Sequence, residues 1–292
     1  MSRTIGAALR QAKHCLKQHG VSEPQAAAEV LLADLLATTR PYLYVKADCP
    51  LSPDQYVAYL ARLQRRLQGE PVQYITGKQE FWSLEFAVSA SVLIPRSESE
   101  LLVEHGIRLA QQWRTMYPQE CLAVLDVGTG SGNLAISLAH TLPQAHVWAV
   151  DRAYGALQVA RQNAQCLGVA KQLRWVCGDL VTAFQAERRC FALCVANLPY
   201  VTTVEWDDLP REIKEFEPSG ALWGGHDGLD LIRRLIATSH EVLAPRGFLL
   251  LEVGWQQATA VQRIIQQQGH FRCPGVYHDL AGIERVVWAR VL

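Results

Sequence analysis

The segment Val124-Leu125-Asp126-Val127-Gly128-Thr129-Gly130-Ser131-Gly132 constrains the fold of this chain more than any other. An apolar run passes into three glycines, and a helical pattern, Leu134–His140, follows. Glycine lets a backbone turn tightly and approach a ligand with no Cβ in the way. A strand, a glycine turn and a helix make the first unit of a wound α/β sheet. The rest of the C-terminal two thirds agrees. Strand patterns at Ala123–Val127, His146–Val150, Leu173–Cys177, Phe191–Ala196 and Phe248–Val253 enclose helical patterns at Leu134–His140, Ala153–Leu167 and Leu229–Leu243. That alternation predicts right-handed crossovers and a mostly parallel sheet covered on both faces. A further helix is expected over Gln256–Gln268. Two strand-like runs then close the chain, Phe271–Tyr277 and Arg285–Leu292. Too little sequence separates them for a helical crossover, so they should pair antiparallel.

Residues 1–78 read differently, as helices only. Ser22-Glu23-Pro24-Gln25 has the form of a capping box, with Ser22 as cap and Gln25 reaching back. Ser52-Pro53-Asp54-Gln55 repeats it, with Pro53 at the first helical position. Gly69 stands where a left-handed cap would end that helix. A small helical bundle of this kind suits partner recognition. Residues 79–95 form a linker, in which Phe81–Val88 is aromatic and partly alternating, as in a β-hairpin. The expected division is therefore 1–78, 79–95 and a catalytic domain over 96–292.

Composition excludes several classes. Lys and Arg number 28, and so do Asp and Glu. Nucleic-acid binding usually needs a basic excess, because phosphate contacts dominate affinity. Residues 1–79 do hold ten basic and six acidic residues, a balance of +4, which ordinary solvated helix faces explain equally well. No run approaches the ~18 apolar residues of a membrane span, and the start lacks the apolar core of a secretory leader. A cytoplasmic location is expected. The eight cysteines, Cys15, Cys49, Cys121, Cys166, Cys177, Cys190, Cys194 and Cys273, contain no Cys-x-x-Cys pair. They form no zinc-type cluster with histidine either, so no metal is expected. Buried, reduced thiols are the expectation, with Cys177 and Cys194 inside strand-like runs.

Dinucleotide folds space their glycines as Gly-x-Gly-x-x-Gly. Here the spacing is Gly-x-Gly-x-Gly, over Gly128, Thr129, Gly130, Ser131 and Gly132. That spacing resembles the loop of Rossmann-like methyltransferases, whose cofactor carries an amino-acid tail in place of a pyrophosphate. Asp151 ends the second strand, where a carboxylate can accept bonds from both ribose hydroxyls. Asp179 ends the third, placed to meet an adenine amino group. Each acid alone could equally cap a helix. The fourth strand runs into Asn197-Leu198-Pro199-Tyr200. An amide nitrogen, or the exocyclic amine of adenine, has a delocalised lone pair, so its methylation depends on positioning. The Asn197 carbonyl and a following backbone carbonyl can accept both N–H bonds and stabilise charge developing on nitrogen. Pro199 shapes the backbone, and Tyr200 offers a flat wall. The tetrapeptide leaves glutamine and adenine both open.

Further stretches narrow the choice. Pro71-Val72-Gln73-Tyr74-Ile75-Thr76-Gly77, Glu80-Phe81-Trp82, Leu93-Ile94-Pro95-Arg96, Glu217-Pro218-Ser219-Gly220-Ala221-Leu222 and Gly224-Gly225-His226-Asp227-Gly228-Leu229 stand in order around the glycine loop. With them the chain resembles, over nearly its whole length, the peptide chain release factor glutamine N5-methyltransferases. The resemblance implies a Rossmann-like methyltransferase fold. Its seven-stranded sheet is mostly parallel with an antiparallel last strand, and a hairpin joins it to the small helical bundle. The implied reaction is methyl transfer from S-adenosylmethionine to the glutamine of a release factor's Gly-Gly-Gln motif, with S-adenosylhomocysteine as product. Gly128–Gly132, Asp151, Asp179, Leu180 and Asn197 would then hold the cofactor. Asn197, Leu198, Pro199 and Tyr200 would line the glutamine pocket, with Asn197, Pro199 and Tyr200 catalytic. Leu180 stands where some members carry an aromatic residue near adenine.

One residue departs from the family pattern, Asn-Pro-Pro-Tyr: its second position is Leu198 here. Asn-Leu-Pro-Tyr also resembles ribosomal-RNA adenine dimethyltransferases. The alternative is therefore an adenine N6-methyltransferase acting on RNA or DNA, which the zero net charge and the 71–77 and 93–96 stretches oppose. A cofactor-binding protein without turnover is a third reading, opposed by the intact Asn197 and Tyr200.

Overall fold

The computed structural model describes residues 4–184 and 190–292. Its helices are α1 (Ile5–Gln18), α2 (Pro24–Leu35), α3 (Arg40–Val45), α4 (Pro53–Leu67), α5 (Val72–Thr76), α6 (Glu100–Met116), α7 (Asn133–Thr141), α8 (Tyr154–Cys166), α9 (Thr203–Asp208), α10 (Arg211–Phe216), α11 (Asp230–Val242) and α12 (Ala258–Gln268). Its strands are β1 (Lys78–Phe81), β2 (Leu84–Ala87), β3 (Ala123–Val127), β4 (His146–Asp151), β5 (Leu173–Cys177), β6 (Phe191–Ala196), β7 (Leu243–Glu252), β8 (Phe271–His278) and β9 (Glu284–Val291). The chain forms two compact units. One comprises the chain up to Lys78 with Pro210–Phe216, the other Gln79–Leu209 with Glu217–Leu292.

The smaller unit packs α1 to α5 around Leu16, Leu31, Leu32, Leu43 and Tyr59, all fully buried. The Tyr59 hydroxyl donates to the Ala28 carbonyl at 2.9 Å, so its polar end is satisfied. The capping box at Ser52 and Gln55 forms as expected. The one expected at Ser22 does not. The cap of α2 is Glu23, in the left-handed region at φ 48°, and Gln25 donates to Glu29 and Tyr44 instead. Glu29 is buried and also holds Arg40. A buried carboxylate needs partners more than an exposed helix end needs a cap, and it recruits Gln25. A second buried charge, Arg66, donates to the carbonyls of Gly69 and Glu70 and to the Glu212 carboxylate, which ties α10 into this unit.

The larger unit is built on a seven-stranded sheet of order β5-β4-β3-β6-β7-β9-β8. All pairings are parallel except those of β9, which runs antiparallel to both β7 and β8. Successive β3 residues enter different cores: Val124 packs in one apolar cluster, Leu125 in the other. Both faces of the sheet are therefore buried, as a parallel sheet requires. Chain order reverses at β3, which lies between β4 and β6. A crevice opens at the carboxyl ends of strands at such a switch point. Strand β7 begins five residues earlier than its pattern suggested, at Leu243, past a left-handed Arg246 at φ 58°. β1 and β2 form the expected hairpin. Its turn places Trp82 and Ser83 both at positive φ, 53° and 58°, the twist that a two-residue hairpin loop needs.

The cysteine expectation holds only in part. Cys194 is buried, but Cys49, Cys121, Cys166, Cys177 and Cys190 are exposed and Cys15 is half-buried. Cys177 ends an edge strand, where side chains reach solvent. The Cys273 side chain lies outside the described residues. No described helix is long and apolar enough to cross a membrane.

Candidate active site

The glycine loop leaves β3 at the switch point with Gly128, Gly130 and Gly132 all in the left-handed region, φ 76°, 55° and 82°. Amides of Gly128 and Thr129 both donate to the Val150 carbonyl, at 2.9 and 3.0 Å, which folds the loop over the end of β4. A Cβ at Gly132 would stand 2.9 Å from Ile136 and 3.0 Å from Ala160, whereas one at Gly130 would meet nothing within 4 Å. Gly132 thus serves helix packing, and Gly130 keeps open space. Beneath the loop Asp126 is fully buried. It accepts the Thr129 hydroxyl at 2.6 Å and the Ala135 amide at 3.1 Å. Burial pushes its carboxyl up to about 7, against the opposing pull of those two bonds.

Beside the loop lies a cavity of about 1090 Å³, its open mouth included. Of the residues singled out in the sequence, Gly128, Thr129, Gly130, Ser131, Asp151, Asp179, Leu180, Asn197, Leu198 and Pro199 line it; Gly132 and Tyr200 are not among its walls. The Asp151 carboxylate accepts the Gly130 amide at 2.9 Å and the Ala153 amide at 2.8 Å. It is held in place through one lone pair on each oxygen, leaving others for hydroxyls. Asp179 is half-exposed and ion-paired with Arg234 of α11. Leu180 adopts φ 51°, which turns the chain beside it. Pro95, Arg96 and Pro218 also line the cavity. The buried Glu217 joins them, accepting the Ile94 amide at 3.2 Å and the Arg96 guanidinium at 2.5 Å. That pairing explains why the 93–96 and 217–222 stretches belong to one wall.

Asn197, Leu198 and Pro199 leave β6 along the wall of this cavity, and Tyr200 follows behind it. The Asn197 Nδ2 donates to Ser99 Oγ at 2.9 Å. The donor end of the amide is thereby used, and the acceptor, Oδ1, is the end left for a ligand. Ser99 Oγ in turn donates to Glu252 Oε2 at 2.5 Å, and the Tyr200 hydroxyl donates to Glu252 Oε1 at 3.4 Å. Glu252 is only 2% exposed. Burial pushes its carboxyl up to about 7, and burial likewise pushes the Tyr200 phenol above its ordinary range. Gln257 secures the backbone: it donates to the Tyr200 carbonyl at 2.9 Å and accepts the Gly254 amide at 2.8 Å. A Cβ at Gly224 or Gly228 would land on the carbonyls of Pro199 and Tyr200, so only glycine lets the 224–229 turn lie against the tetrapeptide. Leu198 is buried, and its Cδ2 would be 3.1 Å from a Cβ on Gly128. Its side chain packs on the glycine loop, which accounts for a leucine there without reference to substrate.

Sequence reasoning missed Ser99, Glu252 and Gln257. A lone acid closing the apolar run Phe248–Leu251 was the available signal for Glu252. Three glycines with an open centre, an anchored carboxylate and a second acid at the next strand end fit a nucleoside bearing an amino-acid tail. Among the described residues no group of three His, Cys, Asp or Glu is placed to hold a metal ion.

Comparison with known proteins shows the family. Residues 7–77 match the family model of the PrmC N-terminal domain, and residues 124–218 that of a methyltransferase domain. The release factor glutamine methyltransferase of Koribacter versatilis is 40% identical over 288 residues, 98% of each chain. That of Moorella thermoacetica is 39% identical over 282 residues, 97% of this chain and 96% of its own. Among solved structures, the hMettl16 catalytic domain in complex with an RNA hairpin superposes with a TM-score of 0.56. It shares 12% identity and covers 82% of both chains, a likeness of fold alone.

Proposed function

The chain belongs to the release factor glutamine methyltransferase family, and from that premise we propose that it methylates the side-chain amide nitrogen of the glutamine in the Gly-Gly-Gln motif of release factors. S-adenosylmethionine, when bound, supplies an electrophilic methyl group and becomes S-adenosylhomocysteine. The chain's own residues do the rest. Gly128 to Ser131 give the cofactor's tail a cradle of backbone, Asp151 takes the ribose hydroxyls, and Asp179 and Leu180 flank the adenine. Asn197 Oδ1 and the backbone carbonyl of Leu198 accept the two N–H bonds of the glutamine amide. That grip aims the nitrogen lone pair and stabilises the positive charge that grows on it, until the methylated nitrogen, acidic once the bond has formed, gives up one of its two protons to water. Pro199 holds that backbone in place and Tyr200 supports it from behind.

One observation carries this reading: the 2.9 Å bond from Asn197 Nδ2 to Ser99, which leaves the acceptor end of the amide for the ligand. A group with two N–H donors is what such an acceptor fits, and the family relationship makes that group the glutamine amide. The adenine alternative rested on Leu198 and on the +4 balance of residues 1–79; packing on Gly128 accounts for the first and solvated helix faces for the second. Nucleic acid is therefore not the substrate in this reading, no metal takes part, and the protein works in the cytoplasm, where release factors act. Residues 1–78 serve substrate recognition, 79–95 are the linker, and 96–292 carry the chemistry.

The test is a transfer assay with labelled methyl donor. It offers an intact release factor, a copy with the Gly-Gly-Gln glutamine changed to alanine, and ribosomal RNA. Label on the intact factor alone is expected; label on the RNA would sink the proposal.

A further inference from the structure

The glutamine grip depends on which way the Asn197 amide faces. Asparagine is nearly symmetric in shape, so its rotation about the last bond must be decided by hydrogen-bond polarity. If it turned over, Asn197 would present an NH₂ to an incoming NH₂, and two donors would face each other. Something must forbid that rotamer. Ser99 Oγ alone does not, since a hydroxyl can accept from Nδ2 or donate to Oδ1 by turning its proton.

The chain continues beyond Ser99, and its far end is a carboxylate. Ser99 is 1% exposed and Glu252 is 2% exposed, so water does not settle their hydrogen bonds. An ionised carboxylate only accepts. With Glu252 Oε2 taking the Ser99 proton at 2.5 Å, the serine has only lone pairs to offer Asn197, which must then turn its Nδ2 inward. The same carboxylate takes the Tyr200 hydroxyl on its other oxygen. We infer that Glu252, acting through Ser99, is a positioning residue that sets the polarity of the Asn197 amide and so makes the site an acceptor for a primary amide. This inference rests on the proposed grip by Asn197.

Its setting makes the relay sensitive to pH. Glu98 and Ser99 face Glu252 from the turn before α6, Tyr200 from the segment after β6, and Arg285 from β9. Burial holds the Glu252 proton to near pH 7, with Glu98 adding to the rise and Ser99, Tyr200 and Arg285 opposing it. Once protonated, Glu252 can donate to Ser99, and the polarity that holds Asn197 is lost. Turnover should therefore rise with pH through an acid limb near neutrality.

The experiment uses the full chain and compares wild type with Glu252→Gln, Ser99→Ala and the double variant. Each single change should lower kcat at least about tenfold, the loss of one transition-state hydrogen bond's alignment. The cofactor Kd, measured by calorimetry, should stay within about twofold, and the double variant should be no worse than the poorer single one, as for one connected network. Glu252→Gln, which keeps the shape of the side chain, should also lose the acid limb. Single-variant kcat within twofold of wild type, additive losses, or an acid limb that survives in Glu252→Gln would each overturn the inference. A measurement without turnover separates it from the substrate assignment. The Asn197 side-chain amide, observed by ¹⁵N NMR, should titrate near neutral pH in wild type and not in Glu252→Gln. If that titration is seen while release factor goes unmethylated, the substrate reading fails and the relay stands. If release factor is methylated and the amide does not titrate, the relay fails alone.

Discussion

The two sides of the cavity are made in opposite ways. On the side proposed for the cofactor, backbone does the work: three left-handed glycines, amides folded onto the Val150 carbonyl, and Asp151 pinned by the amides of Gly130 and Ala153. On the side proposed for the amide, side chains do it: Asn197, Ser99, Glu252, Tyr200 and Gln257 are joined by hydrogen bonds across the sheet ends. A backbone cradle tolerates changes of side chain but not of φ. A side-chain network tolerates neither a lost partner nor a reversed one, because Ser99, Glu252 and Gln257 are buried, Asn197 and Tyr200 half-buried, and each unmade buried bond costs about 1–3 kcal/mol. The contrast predicts that damage to one side should fall on affinity and damage to the other on turnover.

The sharpest break should come from Asn197→Ala. Loss of this one acceptor is expected to cut kcat about 10²–10³-fold, as for removal of a single charge-stabilising group. Cofactor affinity should change only a few-fold; equal losses in both would erase the distinction between the two sides. The mirror experiment is Asp151→Ala. It should weaken cofactor binding by roughly 10–100-fold, the scale of one or two hydrogen bonds to a charged group, while kcat at saturating cofactor holds within a few-fold. A fall in kcat as large as the loss of affinity would show that Asp151 also positions the reacting atoms.

Smaller effects concern stability. Gly132→Ala must crowd Ile136 and Ala160 and hold φ 82°, and should cost about 1–3 kcal/mol in denaturant unfolding. Gly130→Ala carries only the backbone penalty and should cost about 1 kcal/mol. Equal costs would mean that the contact at Gly132 relaxes freely. The last effect, read as a pH dependence, belongs to Asp126. Burial pushes its folded-state carboxyl up to about 7, above the ~3.9 expected in the unfolded chain. The folded protein therefore binds more protons between these values, and stability falls as pH rises from one to the other. Asp126→Asn should shrink the drop in Tm between pH 5 and pH 8, leaving the part that Glu252 contributes. An unchanged drop would mean that Asp126 is already ionised at pH 5.

Local signals proved readable and distant ones did not. The glycine spacing, the strand ends at Asp151 and Asp179, and the capping box at Ser52 all rest on residues within a few positions of one another, where backbone geometry is decided by the residues themselves. Ser22 failed as a cap because Glu29, buried and in need of partners, took Gln25. Cys177 looked like a core residue from its apolar neighbours, yet β5 is an edge strand, a fact of sheet order that no short window contains. Leu198 hinted at adenine until its packing on Gly128 supplied a reason of its own.

What the sequence determined by itself is the chemistry of the parts: a wound α/β sheet, a glycine loop without a phosphate grip, and an asparagine beside a shaped backbone at the end of the fourth sheet strand. Tertiary structure alone decided how that asparagine faces. Ser99 stands 98 residues before it, and Glu252 lies 153 residues beyond Ser99. Hydrogen-bond polarity passes only between atoms in contact, and contact at such separation exists only once the sheet has assembled.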